Sequence, residues 1–320
     1  MKSEAIWVVA PNKIEIRPVE VPEPGYNEVQ IETKACGVCA WDSYLYQGIS
    51  APGPIPYVIG HEAAGIVHKV GGGVKNVKPG DKVFCASGSN DMMSQYFNVG
   101  CDCVAKIPDD TTDFAPWVAE PTVCVVNLLD RTHIRPGDKV VLVGAGYMGL
   151  LTLQGLLASP AGEIHVLEIR EDRLEMARAY HPTYCVNPES EEGKAHVEKL
   201  IADGGADVVI DFGATDSAFV LADRLILHDA GKLVLGSWHR HEETFDGTHW
   251  HMSGVTVYNL SPNSNPHFRE LIPRTAALIR RGVYDPGSLV THVADYHDAE
   301  PVFIKSITKE DGYMKGVITF

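Results

Sequence analysis

Positive charge is scarce in this chain. Its 27 lysines and arginines face 42 aspartates and glutamates, a formal net charge of −15. A phosphate backbone repels such a surface, which argues against nucleic acid as a partner. Long apolar runs are missing too. No stretch approaches the roughly 18 residues that a membrane span requires. The opening MKSEAIWVVAPNKIEIRP has an apolar run too short for a signal peptide and lacks a small-residue cleavage site. The expectation is a soluble cytoplasmic protein with no membrane partner. Cysteine is sparse, with 7 residues, an odd number. A disulfide framework is therefore not expected, and most of the cysteines read as small buried apolar residues. Internal repeats and low-complexity tracts are absent.

What is present suffices for two domains with cores of their own: 320 residues, 45% of them hydrophobic. The first hundred or so residues read as β. AIWVV, KIEIRPVEV, EVQIETKAC, GIVHKVG, GDKVFCA and QYFNVG are short strand-like runs punctuated by Pro and Gly. That spacing predicts a barrel-like antiparallel domain. The texture changes near residue 122. TVCVVNLLDRTHI reads as a helix, followed by the buried strand KVVLV, a Gly-rich turn and another helix. EIHVLEIR, ADVVIDFG and GKLVLGSW are further strands, with EDRLEMARAY and TDSAFVLADRLIL as helices between them. Alternating strands and helices predict an α/β unit with a parallel sheet. FRELIPRTAALIRRG then predicts a helix ending at Gly282. The closing strands, the last being KGVITF, lack a core of their own and are expected to pack back on the β domain.

Gly144-Ala145-Gly146-Tyr147-Met148-Gly149 follows the strand KVVLV and opens a helix. In a dinucleotide fingerprint the first Gly makes the tight turn. The second lets the backbone approach a pyrophosphate, and the third packs helix on strand. The helix N-terminus offers free N–H groups to the phosphates. Glu168 ends the second strand 24 residues after Gly144, near the spacing of a ribose-binding acid. A carboxylate there accepts from the ribose hydroxyls and repels a 2′-phosphate, favouring NAD(H) over NADP(H). Arg170 and Arg173 follow closely and soften that preference. The alternatives are a Gly-rich turn that binds nothing and an ordinary strand-end acid.

Cys39, His61, Glu62 and Glu120 are of the chemical types that hold a catalytic zinc, which needs three or four protein groups and an open position. Composition alone leaves a buried cysteine and a surface His-Glu pair as the commoner reading. Wider motifs go further: ACGVCAWD, PYVIGHEAAGIVHKVGGGVKNVKPGDKV, Glu120-Pro121, PGDKVVLVGAGYMG, GGADVVIDFGA, GKLVLGSW and MKGVITF. With these, nearly the whole chain resembles the medium-chain zinc dehydrogenases, the family of alcohol, sorbitol and threonine dehydrogenases.

The resemblance implies a GroES-like, mainly antiparallel β catalytic domain over residues 1–122. It implies a Rossmann doubly wound parallel-sheet NAD-binding domain over 123–262, with 263–320 returning to the catalytic domain. One catalytic zinc per chain is implied, bound by Cys39 and His61. Glu62 then binds the metal or exchanges with water. Glu120 stands where the classical alcohol dehydrogenases have a cysteine, as in the sorbitol dehydrogenase branch. There it binds zinc directly or holds a water on it. Cys36 and Cys124 read as packing residues. Lys315 falls where the family places a basic residue on the cofactor pyrophosphate.

Two departures stand out. Trp41 occupies the position of the Ser or Thr that starts the family's proton relay, and it cannot accept a proton. The relay then falls to water on the metal, Glu120, Glu62 or a substrate hydroxyl, and Trp41 is expected to line the substrate pocket. The four-cysteine lobe of a structural zinc is also missing, because Cys85, Cys101 and Cys103 lack its spacing. The implied reaction is hydride transfer between NAD(H), lying across the C-terminal edge of the sheet in the cleft between the domains, and a secondary alcohol or ketone. Polyols and sugars are the favoured substrates, and a dimer or tetramer is the expected assembly. The rivals are a zinc-free quinone or enoyl reductase and a non-catalytic nucleotide-binding protein. The segment Trp238-His239-Arg240-His241 with His249-Trp250-His251 reads as a solvated loop, a subunit contact or a contact to a polar substrate.

Overall fold

The computed structural model describes every residue except Ser89, Asn90, Leu227, His228, His241 and Asp311. The part of the expected histidine segment that falls on His241 thus lies outside the described residues. The chain divides into two compact units. One is Met1–Val123 with Pro266–Phe320, and the other is Cys124–Asn265.

The first unit opens with β1 (Lys2–Ala10), β2 (Lys13–Glu20), β3 (Glu28–Val38), α1 (Ala40–Tyr46), β4 (Tyr57–Val58), β5 (Ala63–Val70), β6 (Lys82–Cys85), β7 (Tyr96–Gly100) and β8 (Val104–Lys106). Its strands alternate inward and outward, as β7 shows by burying Phe97 and Val99 between half-exposed neighbours. β1 pairs antiparallel with β2 and β4. β3 is the hub of a larger sheet, with both β5 and β7 antiparallel along its length. Two register shifts in the β3–β5 ladder let one long strand serve both neighbours. The helix α2 (Glu120–Thr132) contains the boundary between the units.

The second unit alternates strictly: β9 (Lys139–Val143), α3 (Tyr147–Leu157), β10 (Glu163–Leu167), α4 (Glu171–Arg178), β11 (Tyr184–Val186), α5 (Glu191–Ala202), β12 (Val208–Asp211), α6 (Asp216–Leu225), β13 (Lys232–Leu235), α7 (Gly247–Ser253) and β14 (Thr256–Asn259). All its strand pairs are parallel, in the order β11-β10-β9-β12-β13-β14. This is the doubly wound Rossmann arrangement, and the order reverses between β9 and β12. Central strands are apolar at nearly every position because helices cover both faces. Val140, Val141, Leu142, Val209 and Ile210 are fully buried. Ser190 and Thr215 cap α5 and α6 by accepting from the N–H groups of Gly193 and Ala218.

The chain then returns to the first unit with α8 (Phe268–Arg280), β15 (Val290–Asp295), α9 (Glu300–Thr308) and β16 (Lys315–Thr319). β16 lies antiparallel beside β3 and completes the order β15-β16-β3-β5-β6-β8. α8 stops at Arg280, and Gly282 follows with a φ of 72°. The architecture is the expected GroES-like β unit with a Rossmann unit. The elements α1, β4, β8, β11, α5, α7, β14 and α9 have no counterpart among the segments read from the sequence.

Close packing of α3 on β9 depends on glycine. A Cβ on Gly149 would lie 2.1 Å from the Gly144 carbonyl oxygen. Gly149→Ala is expected to destabilise the second unit by about 1–3 kcal/mol through overpacking. Equilibrium denaturation checks this, and a variant as stable as the parent contradicts it.

Candidate metal and cofactor sites

Strand register builds the first site. Cys39 directly follows β3, and His61 and Glu62 directly precede β5. Because β3 and β5 run antiparallel with Cys36 opposite Ala63, the end of one meets the start of the other. One ligand atom each from Cys39, His61 and Glu62 lies within 4.8 Å of the others. Gly60 makes the approach possible. Its φ is 97°, and a Cβ there would sit 2.4 Å from Met93. Asp42, fully buried in α1, organises the corner. Its carboxylate accepts from the N–H of Cys39 (2.9 Å) and of Gly60 (3.1 Å), and it stands 3.5 Å from His61 Nδ1.

Lys315 is the corner's cation. β16 pairs Gly316 with Val38, which sets Lys315 beside the end of β3. Its ammonium donates to Glu62 Oε2 and to the Val38 carbonyl (3.1 Å). Both charged side chains are almost wholly buried. Gly37 leaves room for them, since a Cβ there would fall 2.1 Å from Glu62 Oε2 and 3.0 Å from the lysine chain. The other oxygen of Glu62, Oε1, is buried without a hydrogen-bond partner. Burial and the Glu62 charge push the Cys39 thiol up. Burial works against a charge on His61, but the Asp42 carboxylate and the Cys39 sulfur together hold its pKa well above the ordinary value. A buried carboxylate oxygen with no donor, grouped with a sulfur and an imidazole, has the composition of a divalent-cation site.

The other residues singled out in the sequence are placed as follows. Glu120 is buried at the first turn of α2, a favourable place for a carboxylate, and is not in the Cys39–His61–Glu62 group. Lys315, expected on a pyrophosphate, is engaged by Glu62 and Val38 because the β16–β3 register puts it there. Trp41, in the first turn of α1, is half-buried against the hydrophobic core of its unit. The nearby hydroxyl of Ser43 is bonded to the Cys39 carbonyl and to Ser306. Cys36 lies in the core.

The second site is the turn after β9. Gly144 has a φ of 93°, and a Cβ there would press on the backbone of Phe212 at 3.0 Å. At Gly146 an added Cβ would meet only the Arg173 guanidinium, at 3.7 Å. Tyr147 and Met148 begin α3, where first-turn N–H groups have no partner within the helix. Glu168, buried just past β10, accepts from the N–H of Ala145 (2.7 Å) and of Arg170 (2.8 Å). One lone pair remains on each oxygen for a further donor. Arg170 is paired with Asp172. Arg173 Nε is buried without a hydrogen-bond partner, and burial next to Arg170 depresses the guanidinium pKa. A desolvated cation beside an open glycine and a helix N-terminus suits an anionic, phosphate-bearing group.

Two family models match the chain: the alcohol dehydrogenase GroES-like domain over residues 25–109 and the zinc-binding dehydrogenase over residues 148–277. The chain belongs to the medium-chain zinc alcohol dehydrogenases. It is 26% identical to YdjJ of Escherichia coli K12, an uncharacterized zinc-type alcohol dehydrogenase-like protein, across 99% of each chain. It is 30% identical to the S-(hydroxymethyl)glutathione dehydrogenase of E. coli O1:K1 across 59% of this chain and 64% of that one. Among solved structures, an E. coli oxidoreductase/dehydrogenase of unknown specificity superposes with a TM-score of 0.88 at 26% identity, across 100% of this chain and 99% of that one. Among the described residues, no helix is long and apolar enough to cross a membrane.

Asp42 was present in the sequence motif without a role. Its position three residues after Cys39 reads equally well as a helix-capping acid. Gly37 carried no signal that sequence reading could use.

Removing the ammonium would leave Glu62 buried and charged. Lys315→Met is expected to cost about 3–5 kcal/mol of stability, as for other broken buried pairs. A denaturation midpoint equal to the parent's would show that the pair does not stabilise this corner.

Proposed function

We propose that this dehydrogenase moves a hydride between NAD(H) and a secondary alcohol or ketone, with one catalytic zinc per chain. The observation that carries the reading is the buried Cys39–His61–Glu62 group, in which Glu62 Oε1 has no donor. Cys39 and His61 are its zinc ligands, with Glu62 Oε1 available to the same ion. Asp42 orients His61 through Nδ1, the outer-shell role that carboxylates commonly fill for metal-bound histidines. Lys315 holds the second oxygen of Glu62 and so fixes how that carboxylate is presented. Zinc supplies a Lewis acid for the substrate oxygen, and the nicotinamide takes or gives the hydride.

In the second unit, Gly144, Gly146, Tyr147, Met148 and Gly149 form the pyrophosphate turn, with Arg173 beside it. Glu168 reads the ribose through its remaining lone pairs and disfavours a 2′-phosphate, which supports NAD(H) over NADP(H). A polyol, sugar or other polyhydroxy substrate is supported by Glu120 standing where classical relatives have a cysteine. Trp41 adds an aromatic surface in α1, and no hydroxyl relay starts at that position. We also infer a homo-oligomer. β14 is an edge strand of its sheet, and Val257 on it and nearby Met252 are exposed, a liability that pairing with a second chain removes.

Cys39→Ser is expected to lose its zinc and nearly all activity while still binding NADH. Elemental analysis, with NAD reduction over a panel of polyols, checks this. One zinc retained per chain would remove Cys39 from the ligands, and an active metal-free parent would favour the zinc-free reductase. Glu168→Ala is expected to weaken NAD(H) and to narrow the gap to NADP(H). Unchanged constants for both cofactors would mean that another residue reads the ribose.

A further inference from the structure

The described residues between β13 and α7, 236–240 and 242–246, are outside helix and strand and leave the carboxyl end of the parallel sheet. Asp211, the last residue of β12, is their anchor. The Asp211 carbonyl accepts from the N–H of Gly236 (3.0 Å) and of Ser237 (3.2 Å). One carboxylate oxygen of the same residue accepts from Gly213 N–H (2.7 Å), which shapes the loop after β12. The other faces His239 Nε2 at 3.2 Å.

His239 is nine-tenths buried, and its Nδ1 lies 2.7 Å from Glu243 Oε1. The edge of Phe219 packs on the ring, with centroids 5.6 Å apart. A single imidazole is thus hydrogen-bonded to Glu243 through Nδ1, while its Nε2 lies within ion-pair range of the fully buried Asp211 carboxylate and 3.4 Å from the Ser237 hydroxyl. Among the described residues, His239 is the only ion-pair partner of Asp211. Phe212 is pressed against Gly236, where a Cβ would come within 2.6 Å of its ring. The exits of β12 and β13 therefore meet at Asp211, and His239 connects that junction to Glu243.

The location gives this junction a use. In a doubly wound sheet the two mononucleotide halves of a dinucleotide lie over the carboxyl ends of the strands, on either side of the point where the order reverses. Gly144–Gly149 and Glu168 belong to the β9–β10 side. The loops after β12 and β13 are what the other half meets.

We propose that His239 is a positioning residue for the nicotinamide half of the bound dinucleotide. Through its contacts with Asp211 and Glu243 it holds residues 237–240 and Glu243 in the arrangement on which that half rests. The inference deepens the NAD(H) reading above and rests on it.

Two ligands separate the halves in a titration experiment: ADP-ribose, which lacks nicotinamide, and NADH. His239→Leu is expected to bind ADP-ribose within about twofold of the parent. Its NADH dissociation constant should rise about tenfold, the size of a lost charge-assisted hydrogen bond. His239→Gln, which can still donate to a carboxylate, should recover part of the loss. Glu243→Gln, which keeps the fold's apolar contacts and removes one charge, carries the same test should the leucine variant fail to fold. It should weaken NADH severalfold and leave ADP-ribose alone. Equal weakening of both ligands would make His239 a purely structural residue and overturn the proposal. So would unchanged binding of both. If the unmodified protein binds neither ligand, the dinucleotide reading itself fails, and this inference falls with it.

Discussion

Everything at the Cys39–His61–Glu62 corner depends on the pairing of β3 with β5 on one side and β16 on the other. Three strand ends, far apart in sequence, converge only because both partners run antiparallel to β3 in fixed register. A slip of one residue would turn Cys39, Glu62 or Lys315 to the opposite face of the sheet. The register is held by the hydrophobic core of the unit, which includes Ile31, Ile59 and Phe303. Burying Glu62 and Lys315 together is costly and is compensated only by their contact. The corner therefore couples fold and chemistry: the geometry that pairs the charges also presents the free oxygen of Glu62.

The second unit meets a different requirement with different means. Its binding edge needs backbone close to ligand and strand close to helix, so glycine appears where side chains would collide, at Gly144 and Gly149. Fixed charges are kept at the rim of the turn. Glu168 and Arg173 lie next to it but are held differently, the acid by backbone N–H groups and the base by burial. At the adjoining half of the same edge, side chains rather than glycines connect the strand exits, with His239 facing Asp211 and bonded to Glu243.

Much of this was legible in the sequence, and the omissions have physical causes. The central strands KVVLV and ADVVIDFG announced themselves because both faces are buried. β11 and β14 did not, being three and four residues long and largely exposed at the sheet edges. Cys39, His61 and Glu62 were found because they flank strands in a recognisable motif. The partner of Glu62 was not, since Lys315 reaches it through a contact 253 residues away in sequence. Glu120, a residue of the same chemical type, begins α2 and is not one of the three grouped within 4.8 Å. Trp41 was read by its distance from Cys39, and the fold adds that it is partly buried and packs against the core of its unit. The histidines after β13 had no spacing to interpret, and His239 acquires meaning only from the strand end it faces.

The hydrogen bonds made by Glu168 have a consequence for how this protein can change over generations. The same carboxylate that lies at the expected ribose position also ties the glycine turn to the start of the next helix, through the N–H groups of Ala145 and Arg170. A replacement here alters recognition and removes a strut in one step. Neutral drift in cofactor choice through this position is therefore closed off. A descendant with a different preference needs a compensating change in the turn either before or together with the exchange.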